Sequence, residues 1–409
     1  MSKLDELLRE LCPDGVEYKK LGEIATISRG GNFQKKDFLT EGVPCIHYGQ
    51  IYTKYGLFTD KTFTFISEEC AKKQKMAQPN DIVMAVTSEN IEDVCKCLAW
   101  LGDESVAVSG HSAIIHHHQN AKYLVYYFHS QMFFAQKRKL AHGTKVIEVT
   151  PDALVDIALP VPPVEIQCEI VRILDNFINL TAELTAELTA RKKQYNYYRD
   201  QLLNSEKNEV ELKPLGEIGE VRMCKRILKE QTSDVGEIPF YKIGTFGKDP
   251  DAYISKELFD EYKARYNYPR MGDVLISASG TIGRSVIFNG IDAYFQDSNI
   301  VWIENNEKQV LNKYLFYCYQ IAKWEIAEGG TIQRLYNDNL KKTKIPVPYP
   351  NDTKKSLEEQ KRIVSILDKF DTLTTSLTEG LPKEIELRQK QYEYYRDMLL
   401  TFPKDNIKA

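Results

Sequence analysis

The sequence predicts an α+β protein with two pseudo-repeated α+β domains, separated by two long helices packed as an antiparallel coiled-coil-like pair. Three observations support this fold class. The stretch 167–203 has a near copy close to the C-terminus. Apolar residues recur three and four apart in both copies, as on an amphipathic helix. Similar landmarks precede both copies in the same order, so the chain is an internal duplication.

The landmarks define the predicted elements from the N-terminus onward. Residues 4–12 form a short amphipathic helix that ends at the turn signal 13–15. Each half then opens with Leu-Gly-Glu-Ile. After it we expect a β-rich run closed by glycine, a buried strand and an aromatic-rich helix. In the two halves these segments are 21–24 and 215–218, 43–49 and 238–244, 81–85 and 273–277, and 122–127 and 313–318.

Proline-rich segments join the globular halves to the long helices. Residues 157–163 and 343–350 carry three prolines each. Because proline fixes φ and cannot continue a strand or a helix, we expect stiff connectors here.

The two long helices are expected to bury their apolar stripes against each other. A helix of this length cannot bury its stripe alone, and its duplicate has the matching pattern. The chain path, with a domain between the copies, favours antiparallel packing; the alternative is two independent surface helices. A Thr-Ala-Glu-Leu repeat at 181–188 extends the first helix, whereas Gly380 and Pro382 are expected to kink or interrupt the second.

The predicted domain organisation follows from these landmarks. Similar frames with dissimilar loops indicate the same task performed on different targets, the alternative being simple drift. The predicted segments are 1–15 (N-terminal helix), 16–163 (first domain), 164–205 (central helix), 206–350 (second domain) and 351–409 (C-terminal helix and tail).

Composition limits the function classes. The net charge of -4 argues against a chain that holds nucleic acid by bulk electrostatics, so local basic patches or a basic partner would be needed. No apolar run approaches the ~20 residues of a membrane span and the N-terminus is not a signal peptide, so we expect a cytoplasmic protein. The eight cysteines include no Cys-x-x-Cys pair and are expected to be reduced.

Catalytic and metal signatures do not assemble in this sequence. Phosphate-binding loops, dinucleotide-binding turns and nucleophile elbows are missing from it. Pro162-Pro163 is followed by Val164 and not by the aromatic residue of an adenine methyltransferase loop. The tract 116–118 of three histidines could bind a metal, but without spaced partners it is more typical of a polar strand end. We expect no catalytic residues and no metal site.

Signals for nucleic-acid binding are local. Arg, Asn, Gln and Lys read base edges in the major groove, while Lys, Ser and Thr grip phosphates. For each residue the alternative is solvated surface. The candidates in the first half are Arg29, Asn32, Gln34, Lys35, Lys36, Lys54, Ser88, Asn90 and Lys145. Those in the second half are Arg222, Lys225, Arg226, Lys248, Ser279, Thr281, Arg284, Arg334 and Tyr336.

The assembled pattern resembles the specificity subunit of type I restriction-modification enzymes. Three duplicated motifs carry the resemblance, which spans essentially the whole chain. They are the Leu-Gly-Glu-Ile openings, the Ile-Val-x-Ile-Leu-Asp-x-Phe helix starts at 170–177 and 363–370, and the Lys-Gln-Tyr-x-Tyr-Tyr-Arg-Asp helix ends at 193–200 and 390–397. The Thr-Ala-Glu-Leu repeat is similar to the subgroup that has such repeats in its central helix.

The resemblance implies a non-catalytic, DNA-binding subunit of a restriction system. Each target recognition domain would recognise one half of a split double-stranded DNA target. The helices would separate the domains and dock two methyltransferase (modification) subunits. S-adenosylmethionine, ATP and Mg would be bound by these and by the restriction/translocase subunits, and no cofactor by this chain. The predicted docking residues are Ile170, Phe177, Tyr195, Tyr198, Ile363, Phe370, Tyr392 and Tyr395.

Other functions stay open at the level of sequence. The chain could be an orphan bipartite DNA-binding or scaffold protein without methyltransferase partners. It could also be an enzyme with its own unrecognised site, or an RNA-binding module. Tests of methylation by the chain alone, and competition between duplex DNA and RNA, would separate these alternatives.

Insertion of one further Thr-Ala-Glu-Leu unit after Leu188 is expected to lengthen the preferred gap between the two half-sites. Four residues add about 6 Å of helix, more than the ~3.4 Å rise of one base pair. Binding to duplexes that differ only in spacer length measures the optimum. An unchanged optimum would refute the idea that the helix sets the spacing.

Overall fold

A computed structural model describes residues 2–204, 209–326, 334–376 and 378–403. The chain divides into two compact units, one formed by 1–185 with 384–409 and the other by 186–383. Each unit therefore contains one globular domain, the beginning of one repeated helix and the end of the other.

The first unit combines short helices with strands of two to six residues. Its helices are α1 (Lys3–Leu11), α2 (Leu21–Ile24), α3 (Tyr48–Thr53), α4 (Glu68–Ala71), α5 (Ala121–Phe128), α6 (Gln131–Leu140), α7 (Pro151–Leu154) and the start of α8 (Val164–Leu203). Its strands are β1 (Tyr18–Lys20), β2 (Ala25–Arg29), β3 (Val43–Ile46), β4 (Phe58–Thr59), β5 (Thr64–Ile66), β6 (Lys75–Ala77), β7 (Ile82–Ala85), β8 (Thr87–Ser88), β9 (Cys97–Trp100), β10 (Val106–Val108), β11 (Ser112–His117), β12 (Ile147–Glu148) and β13 (Ala158–Pro160).

The second unit repeats this plan with fewer strands. Its strands are β14 (Val210–Pro214), β15 (Glu220–Met223), β16 (Ile238–Tyr241), β17 (Tyr253–Ile254), β18 (Val274–Ser277), β19 (Ser285–Ile287), β20 (Tyr294–Phe295), β21 (Ile300–Glu304) and β22 (Lys344–Pro348). Its helices, besides the end of α8, are α9 (Leu215–Ile218), α10 (Lys256–Arg265), α11 (Asn312–Tyr319), α12 (Asn337–Lys342) and α13 (Thr353–Thr375); α14 (Leu381–Leu399) begins at its boundary.

The sheets of the two domains share one topology. A five-stranded sheet ordered β2-β11-β7-β9-β4 in the first domain corresponds to β15-β21-β18-β19 in the second. A four-stranded sheet ordered β5-β3-β10-β6 corresponds to β17-β16-β20. In both domains the central strand, β7 or β18, is buried on both faces. The predicted buried strands and the aromatic helices α5 and α11 are therefore confirmed.

The proline-rich connectors contain the strands β13 and β22, so the expectation that proline would keep these segments out of strands was wrong. β13 pairs with β1, and β22 pairs with β14. Pro346 and Pro348 are two apart, so both missing N–H groups point away from β14, while the N–H of Tyr349 donates to the Glu209 carbonyl (2.7 Å). Proline is compatible with a two-stranded ladder when it occupies the side that forms no hydrogen bonds.

The repeated helices pack antiparallel within each unit. In the first unit Phe177, near the start of the first copy, stacks on Tyr395, near the end of the second (5.2 Å between ring centroids). In the second unit Phe370 and Tyr198 form the equivalent stack at 5.9 Å. The beginning of each copy thus meets the end of the other. The predicted antiparallel arrangement is confirmed, and the alternative of independent surface helices is wrong.

The second repeated helix is interrupted where glycine and proline occur. α13 ends at Thr375 and α14 begins at Leu381, with Pro382 as its second residue. Gly380 has φ +82°, and a Cβ there would lie 2.5 Å from the Thr372 carbonyl oxygen. The predicted interruption is confirmed. Within the described part of the chain, no helix is both long and apolar enough to cross a lipid bilayer.

One carboxylate joins each repeated helix to the aromatic helix of its domain. Asp175 accepts hydrogen bonds from the Tyr126 hydroxyl (2.6 Å) and the Lys122 ammonium (2.7 Å). In the second unit Asp368 takes the same position, bonded to Tyr317 and to Lys313. Lysine and tyrosine are four residues apart and therefore lie on one helix face. The duplication thus extends to individual hydrogen bonds.

Acid is expected to destabilise the first unit as pH falls from about 6.5 towards 4. Burial lowers the pKa of His117 and of His129 to about 4. The unfolded chain, with ordinary histidines near 6.5, therefore binds more protons in this window. The stabilisation that comes from keeping both histidines neutral is fully present above pH 6.5. Below that pH, protonation of each histidine lowers the free energy of unfolding by up to about 3 kcal/mol.

Unfolding temperatures of wild type and His117→Asn between pH 7.5 and 4.5 measure this effect. Asparagine keeps an acceptor for the Gln119 N–H, which donates to the His117 Nδ1 (3.1 Å), but it does not titrate. The variant should show a smaller fall in unfolding temperature. His118→Asn, at an exposed histidine, is the matched control and should behave as wild type. Equal slopes in all three proteins would contradict the assignment.

Candidate nucleic-acid interface

A basic groove of about 970 Å³ lies on the first domain. It is bounded by the loop after β2, the start of α3, the segment before β6 and the turn between β10 and β11. Among the described residues that line it none is acidic, although the whole chain has a net charge of -4. Its cations are Arg29, Lys35, Lys36, Lys73 and Lys75. Such a surface attracts an anionic polymer without help from the overall charge.

Two glycines fix the loop that carries several of these residues. The N–H of Gly30 donates to the Ser112 carbonyl (2.9 Å), and that of Gly31 to the Val108 carbonyl (2.7 Å). A Cβ on Gly30 would lie 2.2 Å from the Ser109 carbonyl oxygen. Only glycine allows this close backbone approach. The loop is thereby held against the β10–β11 turn, with Asn32, Gln34, Lys35 and Lys36 exposed beyond it.

Arg29 has partners within the domain. Its Nη2 pairs with the Glu148 carboxylate (2.5 Å), and its Nε donates to the Gly110 carbonyl (2.8 Å). The side chain therefore braces the β10–β11 turn at the edge of the groove. Its charge is offset by Glu148, so the uncompensated positive charge of the groove comes from the four lysines.

Two histidines contribute to the groove wall. His47 caps α3 by accepting from the Gly49 N–H (3.2 Å). Burial, with repulsion from Lys35 and His111, holds the pKa of His47 below its ordinary value. His111 is exposed in the β10–β11 turn, with its ring 4.8 Å from that of Tyr48.

The other candidates of the first half do not line the groove. Lys54 follows α3 and lies over the Phe63 ring (5.5 Å). Ser88 is in β8, and Lys145 is exposed before β12. The side-chain oxygen of Asn90 accepts from the Asp93 N–H, and its NH₂ group donates to the Asp93 carboxylate. The Asn90 amide therefore closes a turn.

Several candidates of the second domain converge where three segments meet. Ser279, Thr281 and Arg284 belong to the β18–β19 loop, whose glycines at 280 and 283 have positive φ. Arg334 forms a β-bridge with Ser279 and donates to the Ser298 hydroxyl (2.8 Å) in the β20–β21 turn. The exposed Tyr336 ring lies 6.0 Å from the Arg334 guanidinium. Arg284 donates to the Phe246 carbonyl (3.0 Å) and so supports the loop.

The remaining second-domain candidates lie elsewhere. Arg222 pairs with Glu304 (2.8 Å) and Arg226 with Asp297 (3.1 Å). Lys225 lies over the Tyr266 ring (5.3 Å). Lys248 borders an apolar pocket of about 200 Å³.

Most residues predicted to dock partner subunits are used inside this chain. Ile170, Ile363, Tyr195 and Tyr392 are buried. Phe177, Phe370, Tyr198 and Tyr395 form the two stacks between the helix copies. Tyr198 nevertheless remains 42% exposed, and the most exposed aromatic rings of these segments are Tyr197 and Tyr394, at 62% and 65% exposure.

Sequence reasoning missed Lys73, Lys75, His111 and Asn299. The lysines follow a short helix and join the groove only through the pairing of β6 with β10. His111 and Asn299 occupy turns between paired strands. Each is a polar residue immediately before the strand that pairs with the buried central strand, β11 with β7 and β21 with β18. Among the described residues, no group of three or more His, Cys, Asp or Glu could hold a metal ion.

Comparison with known proteins agrees with the duplicated architecture. The profile of the type I restriction modification DNA specificity domain matches residues 13–191 and 207–387. A Haemophilus influenzae protein assigned as a type I restriction enzyme specificity subunit is 48% identical over 400 residues, covering 95% of this chain and 96% of that protein. The EcoR124I/EcoR124II specificity subunit of Escherichia coli is 41% identical over 259 residues, covering 60% and 61%.

Solved structures share the fold. A chain from a study of complex assembly and conformational transition in the type I restriction-modification system has a TM-score of 0.61 at 16% identity, covering 95% of this chain and 98% of that one. The S subunit of M. genitalium gives a TM-score of 0.50 at 13% identity, covering 94% and 96%. The chain thus belongs to the type I restriction-modification specificity subunits, non-catalytic proteins that recognise DNA targets through two domains within the restriction-modification complex.

Proposed function

We propose that this subunit reads a split duplex target, one half through the basic groove of the first domain and the other through the converging loops of the second. The observation that carries the proposal is a groove with five cations and no acidic lining residue among those described, on a chain with a net charge of -4. Lys35, Lys36, Lys73 and Lys75 would bind phosphates, because lysine is a flexible point charge.

Base contacts would come from the polar side chains of the same loops. Asn32 and Gln34 suit adenine edges, because a side-chain amide both donates and accepts. In the second domain Ser279, Thr281 and Arg334 are the corresponding candidates. Arg222 and Arg226, each offset by a carboxylate, would contribute less. For the chain as a whole we propose the segments 1–15, 16–163, 164–205, 206–350 and 351–409 as domain boundaries.

Two modification subunits are the proposed partners of the repeated helices. Tyr197 and Tyr394 are equivalent residues of the two copies, and each presents an exposed ring one residue before a stacked tyrosine. Two equivalent surfaces suit two copies of one partner. Exposed aromatic rings are frequent anchors of protein interfaces. The predicted docking residues would act mainly by holding the helix pair together.

Catalysis and cofactors would reside on the partner subunits. We propose that S-adenosylmethionine is bound by the modification subunits, and ATP and Mg by the restriction/translocase subunits, in the cytoplasm where the target DNA lies. The Thr-Ala-Glu-Leu repeat supports assignment to the subgroup that has such repeats in its central helix. The alternative is an orphan bipartite DNA-binding or scaffold protein. Co-expression with the modification subunit, followed by mapping of methylated adenines, tests the proposal. A split target is expected, and one uninterrupted target word would overturn it.

Removal of groove lysines should weaken DNA binding by the complex regardless of sequence. For Lys73→Ala with Lys75→Ala we expect the slope of log K against log [salt] to fall by about 0.9 for each lost phosphate contact. The preferred sequence should stay the same. Lys139→Ala, at an exposed lysine outside the groove lining, is the control. If salt titrations give the same slope for wild type and all variants, these lysines do not contact phosphates and the DNA binds outside this groove.

Substitution of the exposed helix tyrosines should weaken assembly with the modification subunit. Each of the substitutions Tyr197→Ala and Tyr394→Ala should weaken the binding free energy by about 2 kcal/mol or more, as is typical for an aromatic residue that anchors an interface. Calorimetric titration of the modification subunit into each variant measures the loss. Val235→Ala, 85% exposed on the second domain, should leave the affinity intact. Unchanged binding in the double variant would exclude these rings as anchors.

A further inference from the structure

One turn occupies equivalent positions in the two domains, as backbone hydrogen bonds establish. In the first domain, the N–H of Val86, just after β7, donates to the carbonyl of His111 (2.9 Å). In the second, the N–H of Ala278, just after β18, donates to the carbonyl of Asn299 (2.7 Å). His111 and Asn299 are also the residues immediately before β11 and β21. They are therefore the same position of one duplicated frame.

The start of the turn is equivalent as well. The hydroxyl of Ser109 accepts from the Tyr48 N–H (2.9 Å), and the Gln296 side-chain oxygen accepts from the Ile243 N–H (2.9 Å). The second turn is one residue longer. Ser298, the residue before Asn299, has φ +50°, a conformation that serine rarely adopts.

A neighbouring hydroxyl orients the side chain at this position in both domains. Thr87 Oγ1 lies 3.2 Å from the His111 Nδ1, and Ser279 Oγ donates to the Asn299 Oδ1 at 2.9 Å. Thr87 and Ser279 are themselves equivalent, each following the residue that bonds the turn carbonyl. The duplicated frame thus keeps an orienting hydroxyl next to a side chain whose chemistry differs between the domains.

The surroundings of His111 favour a contact between its ring and DNA. The ring is exposed in the basic groove, together with lysines suited to phosphates. Asn299 is half-buried beside Arg334, which bonds the adjoining Ser298.

We propose that His111 and Asn299 are the equivalent specificity-determining residues of the two domains, each oriented by its hydroxyl neighbour to contact a different base; this rests on the proposed function. When Thr87 donates to the histidine Nδ1, the Nε2–H is a donor for a base acceptor such as guanine N7 or O6. When Ser279 donates to the asparagine Oδ1, the NH₂ group and the second lone pair of that oxygen match N7 and N6 of adenine.

Methylation mapping of co-expressed complexes tests the inference, with the other half-site as an internal control. His111→Asn should shift the preference at one position of one half-site towards adenine, changing the discrimination about tenfold or more. Asn299→Asp should shift one position of the other half-site from adenine towards cytosine, whose N4 amino group donates. Thr87→Val should reduce the discrimination between bases at the position that His111 contacts. Thr87→Ser, which keeps the hydroxyl, should preserve it.

The outcomes separate this inference from the proposed function. If wild type yields no split target, the proposed function itself fails. If the wild-type complex has a split target, and both His111→Asn and Asn299→Asp methylate that same target sequence, the two residues only support their turns. The inference is then overturned. Uniformly weaker methylation without a change in preference leads to the same conclusion. His118→Asn, at an exposed histidine outside the groove lining, should keep the wild-type word.

Discussion

A single carboxylate near the start of each repeated helix holds the aromatic helix of the adjoining domain. Asp175 receives a tyrosine hydroxyl and a lysine ammonium, and Asp368 receives the same pair in the second unit. Because both donors come from one face of one helix, they fix its rotation as well as its position. The aromatic helix packs against the central sheet. The sheet and its turns are therefore oriented by the same two contacts. The loops that differ between domains therefore begin from the same geometry.

The electrostatics of the chain are compatible with DNA only when considered locally. Acidic residues outnumber basic ones overall, yet the described lining of the first-domain groove contains lysine and arginine and no carboxylate. In the second domain several arginines are offset by neighbouring carboxylates, as in the Arg222–Glu304 pair. The two domains therefore share a frame without sharing a charge pattern. This difference suits domains that have separate targets and leave much of the non-specific attraction to the rest of a complex.

The sequence was informative where periodicity and duplication act together. The pairing of the long helices, the buried central strands and the break near Gly380 follow from spacing and from proline and glycine chemistry, and the antiparallel direction follows from the chain path. The connectors around Pro346 and Pro348 do not, because strand pairing tolerates proline when the missing N–H faces away from the partner strand. That register depends on the partner strand, which a local pattern cannot reveal.

The candidate interface was predictable only in part, for a similar reason. Asn32, Gln34, Lys35 and Lys36 are close in sequence, so they were visible as one polar, basic loop. His111 reaches the same groove from a distant turn, and only the pairing of β10 with β3 and β6 brings it there. The docking residues show the opposite case. Tyr195 and Tyr392 are prominent in the repeated motif because they are buried inside the chain, and the exposed rings are their less conspicuous neighbours.

The two glycines of the groove loop determine how new specificities could be engineered. An added Cβ would lie 2.2 Å from the Ser109 carbonyl oxygen at Gly30 and 2.9 Å from the Gln74 Cα at Gly31, so a side chain at either position would displace the backbone. A randomised library that includes them would therefore contain many clones in which the loop must shift from this position. A library that keeps both and varies the codons for 32–36 and 111 would explore base preference on an intact scaffold.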